Sequence, residues 1–209
     1  MPEPDELTAL DLVDPALIAP RLRRVALIAA AIGIAVAVVV GLLVSWPIGL
    51  LVGAVIGGPT TISALLGLRR RIWMSGNVIH ARRPLGVRRI DAAAAVVAEV
   101  QVRTGRVSQV ALRVGDGDAV VTVPLALYTD TGGAELAVLA LRRLADALAA
   151  SDLAAAAAVS SVLVQQLRAE AREAGLEQRP LYAAARTVRD AGRGALTTLS
   201  DAEVAALLD

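Results

Sequence analysis

Few side chains in this 209-residue chain are of types that do chemistry, and their spacing limits what that chemistry could be. The single histidine, His80, stands in a short β-rich run, and one imidazole alone makes neither a metal centre nor a catalytic triad. Cysteine is absent, which removes disulfides, thiolate nucleophiles and Cys-ligated zinc or iron–sulfur centres. Asp116 and Asp118 have the Asp-x-Asp spacing that opens a calcium loop, but the later ligands and the bidentate glutamate do not follow. Gly115-Asp116-Gly117-Asp118 is more simply a hairpin turn. Ser160-Ser161 falls inside a helical run and not in a Gly-x-Ser-x-Gly elbow, and the chain has no Walker A sequence. No catalytic, cofactor-binding or metal-binding residue is expected from this inventory, and the chain is read as a non-enzyme.

Arginine is the remaining chemistry. All 21 basic residues are arginine, and the net charge of +1 hides their segregation. Residues 1–20 carry Glu3, Asp5, Glu6, Asp11 and Asp14 and no base, whereas residues 69–89 carry Arg69, Arg70, Arg71, Arg82, Arg83, Arg88 and Arg89 and no acid. Arg82, Arg83, Arg88 and Arg89 are candidates for contact with lipid headgroups, set against the plainer reading of a solvated face. Nucleic acid is not an expected partner, because a stacking platform needs aromatics and only Trp73 is near.

The elements that position these residues begin with a membrane hairpin. No charged side chain occurs from Val25 to Leu68, and a helix needs about 20 apolar residues to cross the hydrocarbon core. Spans over 25–44 and 48–68 fit that length, with a tight turn at Ser45-Trp46-Pro47. The first span is too long for a signal-peptide core and follows an acidic tail. Arg21, Arg23 and Arg24 precede the first span and Arg69, Arg70 and Arg71 follow the second, which places both termini in the cytoplasm and the chain in the cell membrane as a multi-pass protein. Small residues recur every fourth position in both spans: Gly33, Ala37 and Gly41, then Gly49, Gly53 and Gly57. The pairs Gly41/Gly49, Ala37/Gly53 and Gly33/Gly57 are symmetric about Ser45, so an antiparallel hairpin brings each pair to one depth. Packing between copies, giving a homo-oligomer through the glycine stripes, is the alternative use.

From Arg71 to Leu125 the texture changes to short β-rich runs with turn signals between them. Strands are expected at Arg71–Ser75, Val78–Arg82, Val87–Ile90, Ala95–Arg103, around Val110–Val114 and at Ala119–Val123, with a helix from about Ala134 to Ala149. The stretches Arg71-Ile72-Trp73-Met74-Ser75-Gly76-Asn77, Gly86-Val87-Arg88-Arg89-Ile90 and Ala111-Leu112-Arg113-Val114, with that helix, give about six strands closed by one helix just after a membrane hairpin. In this pattern the chain resembles the two-span membrane proteins of actinobacteria that carry a bacterial PH-like domain. The arginine-only, cysteine-free composition fits a GC-rich coding sequence of that kind. The resemblance implies a binding or assembly module and carries over no functional residue.

Beyond this domain, helices are expected over 153–174 and from Pro180 through Val188, then a break at Gly192-Arg193-Gly194. Ser200-Asp201-Ala202-Glu203 has the form of a capping box opening a last short helix. The fold class read from the sequence is an α+β membrane protein. Its parts are an acidic tail over 1–24, a transmembrane helical hairpin over 25–68, a small antiparallel PH-like β domain with a closing helix over 69–150, and a helical segment over 151–209. The function this supports is a membrane-anchored cytoplasmic interaction or scaffolding module, as in an accessory subunit of an envelope or transport assembly, whose partners are the bilayer and an unidentified protein. The alternative is an inner-leaflet regulator that binds anionic lipid.

Overall fold

A computed structural model describes residues 7–12, 15–68, 71–83, 86–129 and 132–208; Arg69, Arg70, Pro84 and Leu85 lie outside the described residues. The fold is α+β: two long apolar helices near the N-terminus, then antiparallel sheets and further helices. The chain divides into two compact units, one made of Val13–Arg71 with Arg82–Gly86, the other of Met1–Leu12, Ile72–Ala81 and Val87–Asp209.

The helical unit contains α1 (Pro15–Leu43) and α2 (Trp46–Leu68), packed along their length. Within them, Ala19–Leu43 and Trp46–Gly67 are long and apolar enough to cross a membrane. Large apolar side chains lie on the outside, with Leu27 at 70% and Leu42 and Leu43 at 79% exposure. The connection is shorter than Ser45-Trp46-Pro47: Val44 N–H still bonds Val40 C=O, and α2 opens at Trp46 with Gly49 N–H on Ser45 C=O. Pro47 therefore stands in the first turn, where its missing N–H leaves no bond unmade.

The other unit holds two sheets, of strand order β1-β2-β3-β4 and β8-β7-β6-β5-β9. The first comprises β1 (Thr8–Ala9), β2 (Arg71–Ser75), β3 (Val78–Arg83) and β4 (Gly86–Asp91). The second comprises β5 (Val97–Arg103), β6 (Ser108–Gly115), β7 (Val120–Thr129), β8 (Gly132–Glu135) and β9 (Leu196–Thr198). Helices α3 (Val138–Ala149), α4 (Ala154–Ala171), α5 (Pro180–Asp190) and α6 (Asp201–Ala205) complete it. Val110, Leu112 and Val114 of β6 are buried, as their period-two pattern requires, and they pack with Leu141, Leu144 and Leu148 of α3, Leu163 of α4, and Leu181 and Val188 of α5. Residues on both sides of Ala150 contribute to this one core. The last short helix docks here too, through buried Val204, and its capping box is formed: Glu203 N–H bonds Ser200 Oγ and Ser200 N–H bonds Glu203 Oε2.

Besides β9, a short edge strand on β5 that the sequence reading lacks, three strands differ from it. First, β7 does not end at Val123 but runs on through Pro124 to Thr129. Pro124 has no N–H for the ladder, and the register shifts beside it, with Ala111 opposite Pro124 but Val110 opposite Ala126. Second, the helix expected from Ala134 begins at Val138, and Gly132–Glu135 is instead the edge strand β8. Gly133 lies directly opposite Tyr128, where an added Cβ would stand 2.4 Å from the ring, so glycine is needed and the aromatic covers it. Third, the acidic tail is not only a tail. Thr8 pairs with Met74 and Ala9 with Trp73, Leu10 N–H bonds Ile72 C=O at 2.9 Å, Ile72 N–H bonds Asp11 Oδ1 at 3.1 Å, and the Leu10 side chain is fully buried.

A two-residue strand cannot hold itself, so Leu10 must anchor β1. Leu10→Ala is expected to cost about 2–4 kcal/mol of unfolding free energy, read as a lowered melting temperature of the purified protein. An unchanged melting temperature would mean that β1 adds nothing to the fold.

Candidate functional site

Backbones approach closely in lipid only where side chains are small. The helix pair meets along the six small residues singled out above. A Cβ built on Gly49 would lie 2.5 Å from Gly41 N and 2.4 Å from Ala37 O; on Gly53, 2.6 Å from Ala37 Cβ and 2.4 Å from Gly33 O; on Gly57, 2.9 Å from Gly33 Cα. Gly41 is further covered by the Trp46 ring, 2.7 Å from its added Cβ. All six small residues thus face the partner helix of the same hairpin. Gly58, one residue beyond the stripe, has nothing within 4 Å of an added Cβ. The Thr61 hydroxyl donates within α2 to Gly57 C=O at 2.8 Å and reaches Ala26 C=O of α1 at 3.4 Å.

Four arginines of the sheet-and-helix unit form ion pairs. In the sheet-and-helix unit Arg113 pairs with Glu99 at 2.8 Å, Arg179 with Glu135 and Arg193 with Glu203 at 2.5 Å, and Arg186 with Glu177. Arg82 and Arg83 end β3, and Arg88 and Arg89 stand in β4; all four are exposed and none has an ion-pair partner among the described residues. Arg82 and Arg83 fall in the same compact unit as the helix pair. Arg21, Arg23, Arg24 and Arg71 are likewise exposed.

The side chains with catalytic potential are engaged inside the fold. His80 stacks on Trp73 with ring centroids 5.3 Å apart and planes 3° from parallel. Burial, and then the nearby Arg89 charge, lower its pKa from the ordinary value, so the ring is neutral at pH 7. Asp116 closes the β6–β7 turn by accepting N–H bonds from Ala119, Asp118 and Asp91; burial opposes its charge, but these donors outweigh it and lower its pKa. Gly117 at φ +100° supplies the backbone turn. The Ser160 hydroxyl donates to Ala145 C=O at 2.8 Å, joining α4 to α3. Among the described residues, no group of three or more His, Cys, Asp or Glu is placed to hold a metal ion.

One polar cluster escaped the sequence reading. Glu135, whose side chain is 9% exposed, accepts from Tyr128 Oη at 2.6 Å, Gln166 Nε2 at 2.7 Å and Arg179 at 2.5 Å. Gln166, fully buried, turns its Oε1 to the Leu181 N–H in the first turn of α5. The Tyr128 hydroxyl is held protonated far above its ordinary range, by burial first and then by its bond to Glu135. Glu135 falls inside the helix expected from Ala134, whereas the pairing of β8 with β7 brings it to Gln166 of α4. This cluster fastens strand β8, helix α4 and the start of α5 to one carboxylate.

No protein-family model, curated protein or solved structure matches the chain.

The seam makes a sharp prediction, because one chemical change can be made at two neighbouring glycines. Gly53→Ala should destabilise the purified protein by about 1–3 kcal/mol through overpacking. Gly58→Ala should be neutral or stabilise by about 0.5–1 kcal/mol through helix propensity. Equal melting temperatures for the two variants would refute the glycine seam.

Proposed function

We propose that this chain is a membrane-anchored interaction module, with α1 and α2 crossing the cell membrane as a hairpin and the sheet-and-helix unit meeting protein partners in the cytoplasm. The observation that carries the reading is the β1–β2 ladder. Residues just before α1 are hydrogen-bonded to residues just after α2, so the flanks of the helix pair lie on the same side of any bilayer the pair crosses. Two crossings meet this requirement, and one does not. The sidedness follows from arginine, which flanks the helices at Arg21, Arg23, Arg24 and Arg71 and is absent from the turn. A PH-like character for the folded unit is supported by β2–β4 in one sheet, β5–β7 in the other and helix α3 after the edge strand β8, and such a module serves assembly rather than turnover.

A second reading is an inner-leaflet regulator that engages anionic lipid. It is favoured by Arg82, Arg83, Arg88 and Arg89, exposed and without ion-pair partners among the described residues. Juxtamembrane arginines gain about 1 kcal/mol each near an anionic surface.

Topology and partnership are tested together in native membranes. Reporter fusions at residue 5 and residue 209 are both expected to report cytoplasm, and a periplasmic signal from either end would overturn the hairpin. Photo-crosslinkers at Val138 and Leu139, exposed apolar positions opening α3, are expected to give discrete protein adducts. Adducts with lipid alone would favour the second reading.

A further inference from the structure

The helical unit has an apolar groove of about 320 Å³ between its two helices, lined by Val25, Ile28, Ala29, Ile32, Ile56 and Thr60. Val25, Ile28 and Ile32 recur at spacings of three and four, so they form one face of α1. Arg21, four residues before Val25, continues that face, and Arg24, four residues before Ile28, borders it. Both arginines are exposed and have no ion-pair partner among the described residues. Arg23, between them, points to the opposite side at 3.6 residues per turn.

We propose that this groove is a binding site for one anionic phospholipid, with an acyl chain lying along Val25, Ile28, Ile32 and Ile56 and the phosphate held by Arg21 and Arg24. The proposal rests on the membrane-anchor reading. A lipid suits the groove because one occupant must match two chemistries in order along a single helix face. The apolar lining suits a segment of a hydrocarbon chain, and the cationic end matches a phosphate at the depth where headgroups lie. A second protein helix would match the apolar length but would leave both guanidinium groups without a counter-charge. The small-residue seam is not free for such a helix either, since Gly33, Gly53 and Gly57 are closed against α1 and α2 themselves.

The test uses the full-length protein, delipidated in mild detergent, with added phosphatidylglycerol or phosphatidylcholine of identical acyl chains and native mass spectrometry as readout. Wild-type protein is expected to retain one lipid and to prefer phosphatidylglycerol. The double change Arg21→Gln and Arg24→Gln should lower that preference about 25-fold, since about 1 kcal/mol for each arginine is a factor of about five. Arg23→Gln should leave it unchanged. Thr60→Trp, which fills the groove, should reduce retention of both lipids, and Ile32→Trp provides a second filling variant if the first does not fold. No retained lipid, a preference lost equally on Arg23→Gln, or retention that survives both filling variants would overturn the proposal. Resistance of the wild-type protein to alkaline extraction separates the two readings. An extractable protein would sink the anchor itself, whereas an embedded protein without bound lipid would sink only the groove.

Discussion

Sixty-one positions separate Asp11 from Ile72, yet the carboxylate of one accepts the backbone N–H of the other. Together with the Thr8–Met74 and Ala9–Trp73 pairs, this contact returns the chain after its apolar helices to the place it left. Closing a loop of that length costs entropy, though only logarithmically in length, and a two-residue ladder cannot offset it alone. The closure is offset by elements on both sides of the ladder: the helix pair that fills the intervening chain, and the complete burial of Leu10.

The two units are held together internally by different physics. Lipid is as apolar as leucine, so burial of hydrocarbon cannot drive α1 against α2 in a membrane, and close backbone approach with its dispersion contacts must do so. Glycine occupies the seam while Leu27, Leu42 and Leu43 face outward, the arrangement that the proposed membrane setting calls for. In the sheet-and-helix unit the ordinary rule returns, with leucine and valine inside and arginine outside. Glu135, a deep polar feature of this unit, satisfies the rule for buried charge, with a guanidinium and two neutral donors arranged around the carboxylate.

What could be read in advance follows from how local each determinant is. The apolar helices, the small-residue pairs symmetric about Ser45, the strands from Arg71 to β7 and the Ser200–Glu203 capping box are set by composition or by spacing of four residues or fewer. By contrast, β1 and β9 are two and three residues long and exist only because an edge is waiting for them. Gly132-Gly133 has the composition of a turn and becomes a strand because Tyr128 covers it. Pro124 has the local character of a strand end and is carried through by a shift of register. The Glu135 cluster joins residues up to 44 positions apart, a distance over which neither periodicity nor propensity speaks.

The same contrast bears on the arginines. In the body of the second unit, acidic side chains come to meet Arg113, Arg179 and Arg193, and such pairs fix the geometry of strands and helices. At the flanks of the apolar helices no acid does so among the described residues, although five acids precede Pro15 in the sequence. Asp11 is already committed to the Ile72 amide. An exposed guanidinium in water needs no partner, since solvent screens it over about 8–10 Å. Beside a hydrocarbon surface the screening is poorer, and an arginine there is satisfied best by a bidentate anion, which is what a phosphate offers. Arg21, Arg23 and Arg24 stand exposed at the start of α1, and in the proposed membrane setting lipid phosphates would supply their counter-charge.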